Sequence, residues 1–301
     1  MSAFASASVV MPVFNGEHTI RDALTALVPQ VRSLPSAELI VVDNGSRDGT
    51  RDLVRAAGVT MVVEKTRGPS AARNAGLRLA GGDVIVYLDA DTLPARGWLR
   101  ALLAPFADAS VMLAAGRTLC YVAQTAAERY VAASGLYDTE RAIGREVFPF
   151  APSLNMAVRR DAALAIGGWC EALTTGEDVD FSHRLLRKYP SRIAYAERAV
   201  LFHRTRSEDA GLRRQAWTYG EGAAALYLRY PEALHWDFRK SLTLAGQLGM
   251  RSAMPALLRL GKAFGLASSD QVEFARYHRL WNWYFWRGFF NIYGRRERRA
   301  S

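Results

Sequence analysis

Short apolar segments alternate with longer amphipathic segments over the first ninety residues of the chain. Four apolar segments, at residues 9–14, 38–42, 59–63 and 84–88, are rich in Val and Ile. The segments between them, at 17–32, 48–57 and 69–80, repeat apolar residues at helical spacing. Strands that alternate with helices are typical of a parallel sheet covered by helices on both faces. We therefore predict an α/β fold that begins with a buried strand.

The pattern changes twice further along the chain. Residues 111–205 are less regular, with a turn at Gly167-Gly168-Trp169, a helix that begins near Glu177 and a strand at 199–202. From Ser207 onward the chain has a helical pattern and becomes basic and aromatic. These changes predict three parts, 1–110, 111–205 and 206–301, of which the last is a helical region. Neither an internal repeat nor a low-complexity tract interrupts them.

Polar loops follow three of the predicted strands. The first strand leads into Phe14-Asn15-Gly16-Glu17, the second into the loop from Asp43 to Gly49, and the fourth into Asp89-Ala90-Asp91. In open α/β sheets, ligands bind at the carboxyl ends of the strands. The three loops therefore predict a single ligand site at that edge of the sheet.

Two carboxylates one residue apart follow the fourth strand. Asp89 and Asp91 are suited to a hard divalent cation, Mn²⁺ or Mg²⁺, which would keep open positions for phosphate oxygens. As an isolated pattern, Asp-x-Asp is more often an acidic turn that caps a helix, here the one after Pro94. Its place as the third polar loop of one sheet edge favours the cation site.

Further charged residues extend this candidate site. Asp43 ends a strand, where its carboxylate could accept a hydrogen bond from a nucleotide base, whereas we expect Asp48 to cap the next helix. Arg73 lies on the first turns of the third helix, within reach of a diphosphate. Glu177 and Asp178 begin a later helix, where acidic residues either complement the helix dipole or supply a general base.

Five motifs, in this order, give the first two hundred residues a resemblance to family 2 glycosyltransferases, which are inverting enzymes with the GT-A fold. The first is Pro12-Val13-Phe14-Asn15 with Glu17, and the second runs from Val42 to Thr50. The third is the segment 67–76, and the fourth and fifth are Leu88–Asp91 and the stretch 167–178. Each motif is short, but their order along the chain makes a chance match improbable.

The resemblance implies roles for the residues at these positions. Residues 1–110 would be the nucleotide-sugar-binding half of the GT-A domain and 111–205 its acceptor-side half. Asp178 would be the general base, supported by Glu177. Asp91, with Asp89 and, as in some relatives, His203, would bind the metal, although a lone histidine is as often structural. Asn155 and Trp169 would lie on the sugar and acceptor side. The donor, for which a UDP-sugar is favoured, would contact Pro12, Phe14, Glu17, Asp43, Asn44, Arg67, Arg73, Asp89 and Ala90.

Composition narrows the classes of protein that remain. The formal net charge of +10 predicts an anionic partner, which could be nucleotide phosphate, nucleic acid or lipid. Two cysteines, Cys120 and Cys170, exclude a disulfide framework and favour a cytoplasmic location. A nucleotidyltransferase is the alternative enzyme, but the short acidic loop after the first strand lacks its glycine- and lysine-rich phosphate loop. A nucleic-acid-binding protein is the non-enzymatic alternative, but we find no recognised module for it.

The last predicted helix carries aromatic residues on nearly all sides. Tyr277, Trp281 and Phe285 follow one face, Trp283, Trp286 and Phe290 follow another, and arginines follow near the end. A helix that is apolar all round is either buried or in contact with lipid. Two interpretations stay open: residues 270–301 lie against the inner face of a membrane, or they pack on protein. No apolar run reaches the roughly 20 residues that span a bilayer.

Overall fold

The protein forms two compact units, each with its own set of contacts. The computed structural model describes residues 6–233 and 238–300, with the side chains of 238–242 and 295–300 left out. The sheet unit consists of Met1–Tyr121 and Tyr137–Arg204, and the helical unit consists of Val122–Leu136 and Thr205–Ser301.

In the sheet unit, the elements confirm the α/β pattern that the sequence predicts. They are β1 (Ala7–Val13), α1 (Ile20–Arg32), β2 (Ala37–Asp43), α2 (Thr50–Ala56), β3 (Thr60–Val63), α3 (Pro69–Leu79), β4 (Val84–Leu88), β5 (Thr92–Pro94), α4 (Trp98–Leu103) and β6 (Leu113–Cys120). The helical unit contributes α5 (Ala126–Ser134), and the sheet unit resumes with α6 (Thr139–Ile143), β7 (Asn155–Arg159), α7 (Arg160–Ala165), α8 (Glu177–Lys188) and β8 (Ala194–His203).

The strands form one sheet in the order β3-β2-β1-β4-β7-β6-β8-β5. β3, β2, β1 and β4 are parallel, as predicted. β7 pairs antiparallel with both β4 and β6, and β5 pairs antiparallel with β8, whereas β6 and β8 are parallel. The sheet is therefore parallel in its first half and mixed in its second.

β4 shows why this sheet is covered on both faces. All five of its residues are buried, so the strand has no polar face. Val84, Val86 and Leu88 join the core that contains α1 and α4, while Ile85 and Tyr87 join the core on the other face, which contains α3 and α8. A continuous apolar strand of this kind is typical of the centre of a parallel sheet. Its carboxyl end delivers Asp89 and Asp91 directly to the sheet edge.

A close approach fixes α3 against the sheet. A side-chain carbon at Gly76 would overlap the side chain of Val10 on β1. Since only glycine leaves room for this contact, Gly76 has a packing role. The contact sets the distance at which α3 presents Arg73 to the end of β4.

The helical unit is built from α5, α9 (Asp209–Arg229), α10 (Phe238–Ala263) and α11 (Ser269–Ala300). α11 lies close along α9, because a side-chain carbon at Gly220 would meet the backbone of Phe285 and one at Gly288 would meet the backbone of Trp217. Tyr277 and Phe289 are buried in this packing.

Burial accounts for much of the aromatic pattern of α11. Trp283 and Phe290 nevertheless remain exposed. The arginine side chains at 295, 296, 298 and 299 lie outside the described side chains. Within the described ranges, every helix is too short or too polar to cross a bilayer.

Candidate functional site

A buried arginine links two of the predicted acidic loops. Arg73 on α3 donates from Nη2 to Asp89 Oδ1 over 3.0 Å and from Nη1 to Glu177 Oε1 over 2.9 Å. The Arg73 side chain is only 3% exposed. The ends of β4 and the start of α8 are thereby joined, although 88 residues separate Asp89 from Glu177 along the chain (177 − 89).

The guanidinium of Arg73 packs on the first of two stacked aromatic rings. Its guanidinium carbon lies 4.9 Å from the centre of the Trp169 ring, which stacks on Phe181 with ring centres 4.4 Å apart. Asn74, the next residue of α3, donates to Trp169 O and accepts from Trp169 N. Asn74 therefore has a structural role: it fastens the turn at 167–169 to α3.

The charge of Arg73 is secured by its two partners. Burial alone would lower the pKa of this guanidinium, but the carboxylates of Asp89 and Glu177 together raise it above its usual value. Because its terminal nitrogens bond to Glu177 and Asp89, Arg73 holds these two acidic groups in position. The contact of Arg73 with the donor diphosphate stays a prediction.

The carboxyl group of Asp178 has a raised pKa. Burial is the main reason that the pKa of Asp178 is raised to about 7, and the adjacent charge of Glu177 raises it further. Arg73 and two backbone amides act in the opposite direction, since Ser153 N and Val179 N donate to its carboxylate over 3.3 and 2.9 Å. A carboxyl group that titrates near neutral pH is suited to proton transfer.

Asp91 and His203 stand side by side at the other end of the site. Asp91 Oδ1 and His203 Nε2 are 3.6 Å apart, and β5 and β8 pair Thr92 with His203. His203 Nδ1 is buried and makes no hydrogen bond to any described residue. The ring of Tyr137 packs on the imidazole, with centres 4.5 Å apart.

These two side chains fit a divalent cation that also binds substrate. The oxygen Asp91 Oδ1 and the nitrogen His203 Nε2 stand close together, and both atom types are common ligands of Mn²⁺. Across residues 6–233 and 238–300, no three His, Cys, Asp or Glu side chains form a metal-holding group. A cation here would therefore need phosphate oxygens to complete its ligands, as is common for Mg²⁺.

An open aromatic surface lies at the ends of β1 and β3. Phe14 is 49% exposed, and the guanidinium carbon of Arg67 lies 4.2 Å from the centre of its ring. Arg67 also donates to Asn44 O over 3.0 Å, which fixes its direction. A flat exposed ring beside a cation is suited to a nucleotide base and its phosphates.

The loops after β1 and β2 are tied to each other. Gly49 N donates to Glu17 Oε2 over 2.8 Å, and Glu17 N donates to Asp48 Oδ2 over 3.2 Å. Asp48 also accepts from the backbone N–H of Thr50, the first residue of α2, but the residue at the cap position is Gly49, so the prediction that Asp48 caps this helix is wrong. Pro12 is partly buried on β1 beneath these loops.

Two residues predicted to contact the donor are buried instead. Asp43 is fully buried, and its carboxylate accepts from Gly45 N, Ser46 N and Arg51 Nε. Although burial opposes it, these bonds lower the pKa of Asp43 below its usual value. The side chain of Asn44 bonds to the segment 64–68, which carries Arg67. These hydrogen bonds fix the loops after β2 and β3, and the contacts of Asp43 and Asn44 with the donor stay predictions.

The two residues predicted on the sugar side are also interior. Asn155 is fully buried, and its amide bonds to Trp98 Nε1 and to the carbonyls of Arg117 and Ala199. Trp169 is 2% exposed and lies under Arg73. Both side chains therefore support the site from inside the protein, and their contact with the sugar or acceptor stays a prediction.

Two supporting residues were missed by sequence reasoning. Tyr137 contacts His203 although it lies in a segment with no motif. Arg184 bonds to Asp180 and to the carbonyls of Ile166 and Gly168, and so holds the turn beneath Arg73. The spacing of Asp180 and Arg184, four residues apart on a helix, was a usable signal for this ion pair. Nothing in the sequence distinguished Tyr137.

The chain belongs to glycosyl transferase family 2, because the model of that family matches residues 8–167, just over half of its 301 residues. It is 34% identical over 236 residues to a pre-mycofactocin glycosyltransferase of Mycobacterium tuberculosis, a match that covers 75% of this chain and 48% of the relative. It is 30% identical over 185 residues to the glycosyltransferase AglE of Haloferax volcanii, covering 59% of this chain and 60% of that protein. The chain thus spans about half to three-fifths of the length of these relatives.

Solved structures confirm the GT-A fold. A mannosyltransferase of Pyrobaculum calidifontis, PcManGT, in complex with GDP-Man and Mn²⁺, superimposes with a TM-score of 0.67 at 19% identity, over 96% of this chain and 87% of that one. Glucosyl-3-phosphoglycerate synthase of M. tuberculosis with Mg²⁺ and UDP gives a TM-score of 0.56 at 21% identity, over 76% of this chain and 80% of that one.

Proposed function

We propose that this chain transfers a sugar from a nucleotide-diphosphate sugar to an acceptor hydroxyl with inversion at the anomeric carbon. The observation that carries the proposal is the Arg73 bridge. It holds Asp89, on the loop that also carries Asp91, and Glu177, the neighbour of Asp178, in one cluster. A leaving-group site and a general base are therefore supported by the same buried cation.

In this proposal the nucleotide binds at the Phe14 surface. The base stacks on the exposed ring of Phe14, and Arg67, already directed over that ring, meets the negative charge of the diphosphate. Glu17 keeps the neighbouring loop in place through its bond to Gly49 N. A uridine nucleotide is the first donor to test and a guanosine nucleotide the second, since the similar structures were solved with UDP and with GDP-Man.

A divalent cation, Mn²⁺ or Mg²⁺, would be held by Asp91 and His203. When bound, it would offset the negative charge that grows on the departing diphosphate. Asp89, one of whose oxygens is bonded to Arg73, lies one residue from Asp91 and is available to the ribose or to the cation. The complexes of the similar structures with Mn²⁺ and Mg²⁺ support the choice of metal.

Asp178 would remove the proton from the acceptor hydroxyl as its oxygen attacks the anomeric carbon. Attack on the face opposite the diphosphate inverts the configuration. The raised pKa of Asp178 makes its carboxylate a stronger base than an ordinary aspartate, while at pH above about 7 most of it is still ionised. Glu177 supports the base by its negative charge and by its bond to Arg73.

Product analysis with one substitution tests this function. With UDP-glucose or GDP-mannose, Mn²⁺ and a panel of acceptors, we expect the release of nucleoside diphosphate, which NMR or chromatography would detect. Asp178→Asn should lower the transfer rate by about 100-fold or more, because the amide cannot accept the proton. The matched control is Asp161→Asn, since the Asp161 side chain is 98% exposed and outside the site.

Three outcomes would contradict the proposal. Formation of UTP and glucose 1-phosphate from UDP-glucose and added pyrophosphate would indicate nucleotidyl transfer, the alternative enzyme class. Near-normal transfer by a folded Asp178→Asn variant would remove Asp178 from the role of base. Retention of configuration in the product would exclude direct attack by the acceptor.

A further inference from the structure

Large apolar side chains stand exposed along one face of α10 and the turn that follows it. Their exposed fractions are 65% for Met250, 58% for Leu257, 62% for Leu260, 77% for Phe264 and 83% for Leu266. We call these five side chains the exposed stripe. Single exposed apolar residues are normal, but a continuous row of them indicates a binding surface.

Helical spacing places Met250, Leu257 and Leu260 on one face of α10, and Phe264 and Leu266 lie in the turn that follows the helix. Met250, Leu257 and Phe264 are seven residues apart, which is two turns, and Leu260 lies between the last two. At about 1.5 Å per residue, the distance from Met250 to Phe264 is roughly 21 Å. The stripe faces outward, since Leu244, on another side of α10, is buried.

Within the sequence of α10 every charged residue is basic, and the first acidic residue after it is the exposed Asp270 at the start of α11. Between Phe238 and Ser269 the sequence has no acidic residue, and it has five basic ones: Arg239, Lys240, Arg251, Arg259 and Lys262. Arg259 and Lys262 are exposed on the last turns of α10. A binding partner that is complementary to the stripe therefore has an apolar interior and a negatively charged boundary.

We propose that the exposed stripe inserts into the headgroup region of a lipid bilayer that contains anionic lipids, with Arg259 and Lys262 against the lipid phosphates. Amphipathic helices bind membranes in this way, parallel to the surface. A second copy of this chain fits less well, because it would bring equal positive charges together. The inference is independent of the proposed reaction, since it rests only on residues of the helical unit.

A cavity next to the stripe adds to this argument. About 320 Å³ of space lies between α10 and α11, and Met254, Leu258 and Phe274 form part of its apolar lining. Met250 belongs both to this lining and to the stripe. An acyl chain that left the bilayer surface here would meet apolar side chains instead of water.

Vesicle flotation of the whole chain tests the proposal. The protein is mixed with vesicles of phosphatidylcholine alone or with about 30% phosphatidylserine, and its share in the floating fraction is measured. We expect it to float with the anionic vesicles and much less with the neutral ones. Raising the salt concentration should weaken this binding, because salt screens the lysine and arginine contacts.

Two sets of variants separate the apolar and the charged contributions. Leu260→Ser with Phe264→Ser should lower partitioning by about 100-fold, at roughly tenfold for each apolar side chain removed from lipid. Arg259→Glu with Lys262→Glu should abolish the preference for anionic vesicles. The matched control is Leu79→Ser with Leu164→Ser, because both residues are exposed apolar residues of the sheet unit. This control should float as the unchanged protein does.

The proposal fails if the unchanged protein stays out of the floating fraction, or if the Leu260/Phe264 variant floats equally well. Sedimentation velocity is run in parallel on the same samples. Self-association that depends on Phe264, without flotation, would assign the stripe to a second copy and overturn the membrane proposal. Circular dichroism on each variant confirms that the substituted surface residues leave the helices intact.

Discussion

At the scale of single residues, the cluster around Arg73 is organised by burial and charge together. A cation that is 3% exposed is stable only because two carboxylates bond to it. One of those carboxylates, Glu177, lies beside Asp178 and helps to raise its pKa. The pKa of Asp178 is therefore set by groups of α8, of α3 and of the segment that precedes β7.

The pH dependence of transfer follows from this arrangement. Since the proposed base acts when ionised, kcat/KM should rise with pH through about 7, the pKa of Asp178 in the free protein. Glu177→Gln removes a neighbouring negative charge and should move the midpoint of this rise to lower pH. Rate measurements between pH 5 and 9 check the shift, with Asp161→Asn as the control that leaves the midpoint unchanged. A midpoint that moved upward would contradict the electrostatic argument.

The proposed metal ligands predict a change in metal requirement. His203→Ala should raise the Mn²⁺ concentration needed for half-maximal transfer by about tenfold or more. His18→Ala is the matched control, because the His18 side chain is 91% exposed. Equal Mn²⁺ titrations for the two variants would leave His203 with a purely structural role beside Tyr137.

At the scale of elements, periodicity and strand-end loops were sufficient to predict where the site lies. The four parallel strands and their helices follow from apolar segments, and the acidic loops follow from the strand ends. Which side chains face a ligand was not predictable. Asp43 and Asn155 sit at strand boundaries that suggest exposure, yet both are buried. Asp43 bonds to the loop that follows it and to Arg51, whereas Asn155 bonds to Ala199, 44 residues away.

Close helix packing in the helical unit gives a stability prediction. Gly288→Ala should destabilise the protein by about 1–3 kcal/mol, because the new methyl group meets the backbone of Trp217. Gly294→Ala in the same helix is the control, since a side-chain carbon there meets no atom within 4 Å. That change should be neutral or stabilising by up to about 1 kcal/mol. Urea unfolding monitored by circular dichroism measures both, and equal destabilisation would refute the packing argument.

At the scale of the whole molecule, the sequence indicates a change of character near residue 207, and the helical unit resumes at Thr205. The same unit also takes Val122–Leu136 from the middle of the chain. That assignment was not visible in the sequence, because α5 has an ordinary composition and its partners in α11 are about 150 residues away (278 − 130 = 148 for Tyr130 and His278).

The net charge of +10 has its own consequence for donor binding. The Michaelis constant for the nucleotide sugar should rise by several-fold when NaCl is increased from about 50 to about 500 mM, because salt screens attraction between the phosphates and exposed cations such as Arg67. Assays at constant Mn²⁺ and constant pH check this. A Michaelis constant that stayed level would show that buried contacts dominate donor affinity.

In the proposed reaction, the Arg73 bridge would also link the leaving-group site and the general base thermodynamically. A change that weakens the bond from Arg73 to Asp89 strengthens the interaction of the guanidinium with Glu177. A change that weakens the bond to Glu177 strengthens the interaction with Asp89 in the same way. Substitutions at the two carboxylates should therefore be non-additive, as is usual for residues that share one partner. Donor binding would then change the pKa of Asp178, and the ionisation of Asp178 would change donor affinity by the same free energy, because a coupling free energy between two binding events is reciprocal.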